Sequence, residues 1–171
     1  MTKGKWYEEF VGMLETITST ILYVMACMYG SDILTILIYI PLSIFGMINL
    51  NKNENNSIVQ LNKMTIKRSF IMVLFITVSI TILSFLLSII PTQKLPFWDA
   101  AGDILNICGI LLIALRYKEG WLIWIICNLV EIITWVIALA KNYSENAIMM
   151  IIMSLIYIAL NIWGVHFLYK N

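Results

Sequence analysis

WLIWIICNLVEIITWVIALA, Trp121 to Ala140, is a run of twenty residues that holds one carboxylate and one amide in an otherwise apolar background. A helix rising ~1.5 Å per residue covers ~30 Å over such a length, the thickness of a bilayer's hydrocarbon core. Backbone amides in lipid must be satisfied within the segment, and the run is too long and too continuous for a barrel strand. It reads as a transmembrane helix.

The same test, carried outward along the chain, finds five more runs: Phe10 to Met28, Ile33 to Leu50, Ser69 to Ile90, Trp98 to Leu115 and Ala147 to Leu168. The fold class expected is therefore an all-α membrane protein with six transmembrane helices. Composition agrees: of 171 residues 61% are hydrophobic and 12% charged, and the mean hydropathy is +0.89, far from a soluble average. The solvent for most of this chain is lipid, and the lipid bilayer is its first partner.

Orientation follows from the basic residues. Lys3, Lys5, Lys52, Lys63, Lys67, Arg68, Arg116, Lys118 and Lys170 fall on one side of a six-helix arrangement, Lys94 and Lys141 on the other. Nine against two places both termini in the cytoplasm by the positive-inside rule. The basic residues are topology signals, so the net charge of +1 points to no nucleic-acid partner. Cys27, Cys108 and Cys127 lie within apolar runs, where thiols pack as small hydrophobes, and no disulfide is expected. The basic start at Met1 to Trp6 leads into a helix that carries Glu15 and no small-residue cleavage pattern, so it reads as retained.

One connection is long. Asn51 to Arg68, NKNENNSIVQLNKMTIKR, reads as a cytoplasmic linker, part flexible and part interfacial. The others, YGSD, PTQKLPF, YKEG and KNYSEN, are short and force neighbouring helices to run antiparallel.

The chain also repeats itself. YIPLSIFG, Tyr39 to Gly46, and YIALNIWG, Tyr157 to Gly164, agree at five of eight positions. The first copy lies in the second helix and the second in the sixth, so both stand the same way up. More faintly, Gly12 onward aligns with Ile125 onward, which sets Glu15 opposite Asn128. This is the pattern of a parallel repeat with a linker helix between two half-units. The segment 69–90 fits that linker helix, having no Asp, Glu, Asn, His or Trp. Within one transmembrane domain over 1–171, the division expected is a first half-bundle over 10–50, a linker over 51–68, the linker helix and a three-helix bundle over 98–168. A three-one-three plan becomes two-one-three here, one helix short in the first half.

The polar residues fall on stripes. Trp121, Trp124, Asn128, Glu131 and Trp135 are spaced 3, 4, 3 and 4, along one face of a helix. Interfacial anchoring accounts for Trp121 taken alone, but a carboxylate turned to lipid costs at least ~2.5 kcal/mol on insertion scales, so the stripe as a whole should face protein or a water-filled path. Asp99, Asp103 and Asn106 make a second stripe. Capping the helix start accounts for Asp99; for Asp103 and Asn106, interhelical hydrogen bonding and a place in a site are both open. On the last helix Asn161 should face inward, and Gly164 should allow close approach of a neighbour; His166 comes late enough to meet water. Indole faces suit a flat or cationic ring, and asparagines read amide or hydroxyl groups. Nothing suits hydrolysis or cofactor chemistry: there is no nucleophile-base grouping, metal-ligand cluster or phosphate-cradling loop.

WLIWIICNLVEIITW, with the FWDA start, the RYKEGW turn, the closing LNIWG and the earlier YIPLSIFG, resembles the PnuC family of vitamin transporters, whose signature is W-x-x-W-x-x-x-N. The resemblance covers nearly the whole chain. It implies a SWEET-like fold, a homotrimer with a pathway in each protomer, and facilitated uptake of nicotinamide riboside, or in relatives thiamine, riboflavin or deoxynucleosides, with trapping by a cytoplasmic kinase. It makes Trp121, Trp124 and Asn128 the substrate-binding residues, with Asn161 opposite. Glu131 departs from the small or neutral residue expected there, and Glu15 from an asparagine; a counter-charge to a positive ring and an altered substrate choice are both open for Glu131, as is proton coupling.

The function expected is thus that of a transporter and not an enzyme, binding its small molecule through Trp121, Trp124, Asn128, Glu131, Asn161, Asp103 and Asn106, with no metal and no cofactor. The competing expectation is a non-transporting paralogue or sensor for the same ligand class. In the repeat, Pro41 and Ser43 are expected to mark the scaffold half, Asn161 and Trp163 the half that holds the ligand.

Overall fold

The computed structural model describes residues 35–52, 54–55, 58–59, 62–91, 93–143 and 146–170. The expected first helix, Phe10 to Met28, with Glu15 and Cys27, lies outside the described residues, as do Ile33 and Leu34 at the start of the second.

Five helices are described. α1 (Ile40–Lys52) follows directly on a π-helical turn, Thr35–Tyr39. Pro41 explains that turn: it has no N–H to give and its ring would crowd the carbonyl four residues back, so the backbone widens just ahead of it. A two-residue antiparallel ladder, β1 (Glu54–Asn55) with β2 (Ile58–Val59), follows within the segment read from sequence as a linker. Then come α2 (Ile66–Ser88), α3 (Pro96–Ala114), α4 (Gly120–Ala140) and α5 (Ala147–Lys170). Of these, α2, α3 and α4 are long and apolar enough to cross a membrane.

The hub is α3, which packs against α1, α2 and α4; α5 packs on α4. Sequence explains the choice, because Ala100, Ala101, Cys108, Gly109 and Ala114 are small and buried and let neighbours come close. By contrast α2 buries only Ile76 and Leu87 and turns Phe70, Val73, Leu74, Phe75 and Phe85 outward. Its hydroxyls survive that exposure by bonding their own helix: Thr77 Oγ1 donates to Val73 O and Thr81 Oγ1 to Thr77 O, each at 2.9 Å.

Side-chain bonds give the directions. Tyr39 Oη donates to Asp103, and Asn49 Nδ2 to Ala114 O at 2.6 Å. Both partners rise in number together, so α1 and α3 run parallel, with α2 returning between them. α3 and α4 are antiparallel, with Ile113 against Gly120, Gly109 against Trp124, and Cys127 Sγ 3.5 Å from Gly102 O. α4 and α5 are antiparallel too: Glu131 meets Ser154, and Trp135 joins Ala138, Ala147 and Met150 in a buried cluster with Leu95. Cys108 and Cys127 are buried thiols, neither of them in a disulfide.

The connections before α4 and α5 each begin with a Schellman motif. After α3, Tyr117 N donates to Leu112 O and Arg116 N to Ile113 O; after α4, Tyr143 N donates to Ala138 O and Asn142 N to Leu139 O. Arg116 (φ 64°) and Asn142 (φ 54°) take the left-handed position usually filled by glycine. The first of these turns also receives the chain before α2. Asn62 N donates to Arg116 O, Lys118 N returns a bond to Asn62 O, and Met64 N donates to Glu119 Oε1 at 2.9 Å.

Candidate functional site

The tryptophan pair stands at the start of α4. Trp121 and Trp124 are both half-buried, their ring centroids 5.9 Å apart at 68°, and both pack on Ile113 of α3. Two glycines bring the helices together here: a Cβ on Gly120 would meet Ile113 Cγ1 at 2.6 Å and Gly109 O at 3.1 Å, and a Cβ on Gly109 would collide with the indole of Trp124.

One turn further along, Asn128 is half-buried and donates from Nδ2 to Trp124 O at 2.8 Å. That bond uses one of the amide's two N–H groups and reaches only its own helix. Glu131, half-buried, faces α5: its Oε2 accepts from Ser154 Oγ at 3.2 Å, and Cys127 Sγ lies 4.0 Å from Oε1. Ser154 is fully buried. The Glu131–Ser154 contact also sets the register of two antiparallel helices. Seven residues on from Ser154 is Asn161, and seven back from Glu131 is Trp124, so the buried Asn161 stands level with the tryptophan pair.

On α3, Asp103 is buried and bound across helices: Tyr39 Oη donates to both its carbonyl and its Oδ1, at 3.0 Å each. Asn106, half-buried, lies between the level of Cys127, which meets Gly102, and that of Trp124, which meets Gly109. Asp99 sits inside the first turn of α3 rather than at its N-cap, which is Leu95, and its Oδ2 accepts from Gln93 Nε2 in the preceding loop at 2.5 Å.

Trp163 requires a correction. It is 58% exposed, on the outer face of α5, whereas Asn161 two residues earlier is 6% exposed. Its repeat counterpart Phe45 is likewise outside, at 48%, and Ser43, the counterpart of Asn161, is inside at 5%. Inward and outward facing are thus shared by the two copies. The difference between Phe and Trp lies on the outer surface, where it can contact no ligand held between the helices. The surroundings of Gly164 lie outside the described side chains.

Three residues that make contacts between helices here are not singled out by the sequence: Tyr39, Ser154 and Gly109. Tyr39 had a signal, as the first residue of the repeated motif. Ser154 is one small hydroxyl in an apolar helix and Gly109 one glycine among several, and neither stands out without a neighbour to touch. Among the described residues no three His, Cys, Asp or Glu side chains are grouped to hold a metal ion.

Apolar helices of spanning length, with their amide, carboxylate and indole groups gathered along the seams of α3 with α1 and α4 and of α4 with α5, define a polytopic α-helical membrane protein. More particularly, the family model described as nicotinamide mononucleotide transporter matches residues 1–168, and the chain belongs to that family. It is 25% identical over 147 residues to the nicotinamide riboside transporter PnuC of Neisseria mucosa, a match that takes in 80% of this chain and 54% of the relative. It is 35% identical over 66 residues to the protein of the same name from Escherichia coli K12, covering 39% of this chain and 26% of that one. The chain therefore spans about half the length, or less, of the curated relatives it matches. The crystal structure of the vitamin B3 transporter PnuC superposes with a TM-score of 0.78 at 22% identity, over 95% of this chain and 71% of that one.

Proposed function

We propose that this chain carries nicotinamide riboside, or a closely related vitamin or nucleoside, across a bacterial inner membrane by facilitated diffusion. The ligand stacks on Trp121 and Trp124 and is hydrogen-bonded by Asn128, with Asn161 opposite; Glu131, Asp103 and Asn106 border the same path. The observation that carries this reading is the arrangement at the start of α4: two indoles side by side, an asparagine one turn on, and a buried asparagine of α5 at the same level. Indoles stack on a flat cationic ring, and asparagines discriminate among its amide and hydroxyl substituents. The names of the relatives, both nicotinamide riboside transporters, support the choice of ligand.

The wider architecture proposed is a SWEET-like parallel repeat of six helices. A half-bundle over 10–50 is joined through the linker 51–68 and the linker helix 69–90 to the bundle over 98–168. Its support is the shared facing of Ser43 with Asn161 and of Phe45 with Trp163, and the parallel course of α1 and α3. Both termini face the cytoplasm, as the distribution of lysine and arginine indicates. Three copies form a homotrimer with one pathway each, and the two halves rock about the bound ligand.

Asn128→Ala tests the assignment. The Asn128 amide bonds to the carbonyl of its own preceding turn, so its removal leaves the helix with its backbone bonds and should not disturb insertion. In liposomes, uptake of nicotinamide riboside should fall at least tenfold, the loss of one hydrogen-bonding group in a buried site. Uptake at the unsubstituted rate removes Asn128 from the site. Ligand binding by the unsubstituted protein without any uptake refutes transport while keeping the binding site.

A further inference from the structure

The indole of Trp124 lies edge-on over the bare Cα of Gly109. The atoms that a Cβ at position 109 would strike first are Cδ1 and Nε1 of Trp124, at a separation no real Cβ tolerates. Gly109 is itself buried. The Nε1–H group is shut away from solvent and has no hydrogen-bond partner among the described residues. Other groups close the notch without supplying an acceptor: Ile113 packs on the indole and the Trp121 ring stands against it edge to face. The neighbouring carbonyl of Trp124 is taken by the Asn128 amide.

These facts are in tension. A tryptophan buries its ring readily, but its N–H nearly always finds an acceptor when buried, and leaving it unmade is costly. The fold nonetheless keeps a glycine where any side chain would push the ring out. A place that holds the ring but not its hydrogen bond is one the ring leaves when an acceptor is offered elsewhere. Rotation about the side-chain torsions of Trp124 is all that this movement asks, since the strike at position 109 is against a side chain and not against backbone.

We propose that Gly109 is a positioning residue of the site: its notch parks the indole of Trp124 while no ligand is present, and the ring swings out to give its N–H to an oxygen of the ligand. This rests on the assignment of Trp124 to the ligand site. The consequence is a two-position equilibrium in which the parked position competes with binding, so that ligand affinity is set by how deep the notch is.

Gly109→Ala fills the notch. With the parked position closed, the apparent Kd for nicotinamide riboside should fall by about threefold to tenfold, because the competent population no longer has to be drawn from a competing one. The emission of Trp124, obtained as the difference from the same protein carrying Trp124→Phe, should shift in the ligand-free Gly109→Ala protein towards that of the ligand-saturated unsubstituted protein. A glycine needed only for helix packing would give weaker binding and no such shift, and that result overturns the proposal. Because the alanine variant can fail to fold, the unsubstituted protein labelled with 6-fluorotryptophan provides a second test. Its Trp124 fluorine resonance, assigned by its loss in Trp124→Phe, should move on saturation with nicotinamide riboside. Binding with an unmoved resonance overturns the parked position alone; no binding at all overturns the ligand assignment, and this proposal with it.

Discussion

Tyr39 shows how one hydroxyl can hold two parts of a membrane protein together. It stands in the π-helical turn before Pro41 and donates to both the carbonyl and the carboxylate of Asp103, with neither residue more than 4% exposed. In a medium without water a buried carboxyl group depends on such donors, and leaving it without one is costly. Tyr39→Phe keeps the ring and removes the donor. It should cost about 1–3 kcal/mol, measured as a lower midpoint in thermal unfolding in detergent, and an unchanged midpoint would show that the contact contributes nothing. The sequence displayed both partners, but not their meeting: 64 residues separate them, and no local pattern signals so distant a contact. Of the two roles the sequence leaves open for Asp103, interhelical bonding and a place in a site, the first is met by Tyr39.

At the scale of the element, helix identity and length are set by local physics, and they are where sequence reading comes closest to the structure. The runs at 69–90, 98–115, 121–140 and 147–168 correspond to helices Ile66–Ser88, Pro96–Ala114, Gly120–Ala140 and Ala147–Lys170. Ends are less legible, because capping depends on a few backbone bonds. α3 and α4 both stop in Schellman motifs, yet neither has glycine at the left-handed position. Asn142 belongs to the residue types that tolerate that conformation, and Arg116 does not. Arg116→Gly should relieve that strain and raise stability by about 1 kcal/mol, read as a higher unfolding midpoint than that of Arg116→Ala, which keeps the Cβ and so isolates the backbone effect from the lost charge. Equal midpoints for the two variants would mean that the conformation carries no strain.

The whole molecule is organised around α3, and its most consequential feature is direction. The bonds from Tyr39 to Asp103 and from Asn49 to Ala114 require α1 and α3 to run parallel. A disulfide offers a check. In a background with Cys27, Cys108 and Cys127 changed to serine, the pair Asn49→Cys and Ala114→Cys should cross-link under mild oxidation, while Asn49→Cys with Asp103→Cys should not. The second pair would be separated by about 16 Å, eleven residues of helix rise. Cross-linking of the second pair in preference to the first would reverse the arrangement. Because α4 is antiparallel to both α3 and α5, α5 also runs parallel to α1, and these two helices carry the two copies of the motif. Both copies follow one packing rule: Ser43 and Asn161 in, Phe45 and Trp163 out.

By itself the sequence determined that this chain is built of lipid-solvated helices, where the last four of them lie, and which of their faces carry amides, carboxylates and indoles. Hydrophobic run length and the 3.6-residue period are local quantities, readable from one strand of text. Tertiary structure alone decided which polar face meets which. It made Asp103 the partner of Tyr39 and Glu131 that of Ser154, brought Asn161 level with Trp124, sent Trp163 outside, and lodged an indole against Gly109. The reason is that in lipid every apolar face is equally at home, so periodicity shows that a stripe must be covered but not by what. The choice falls to small residues that permit close approach and to hydrogen bonds that only the neighbouring helix can complete.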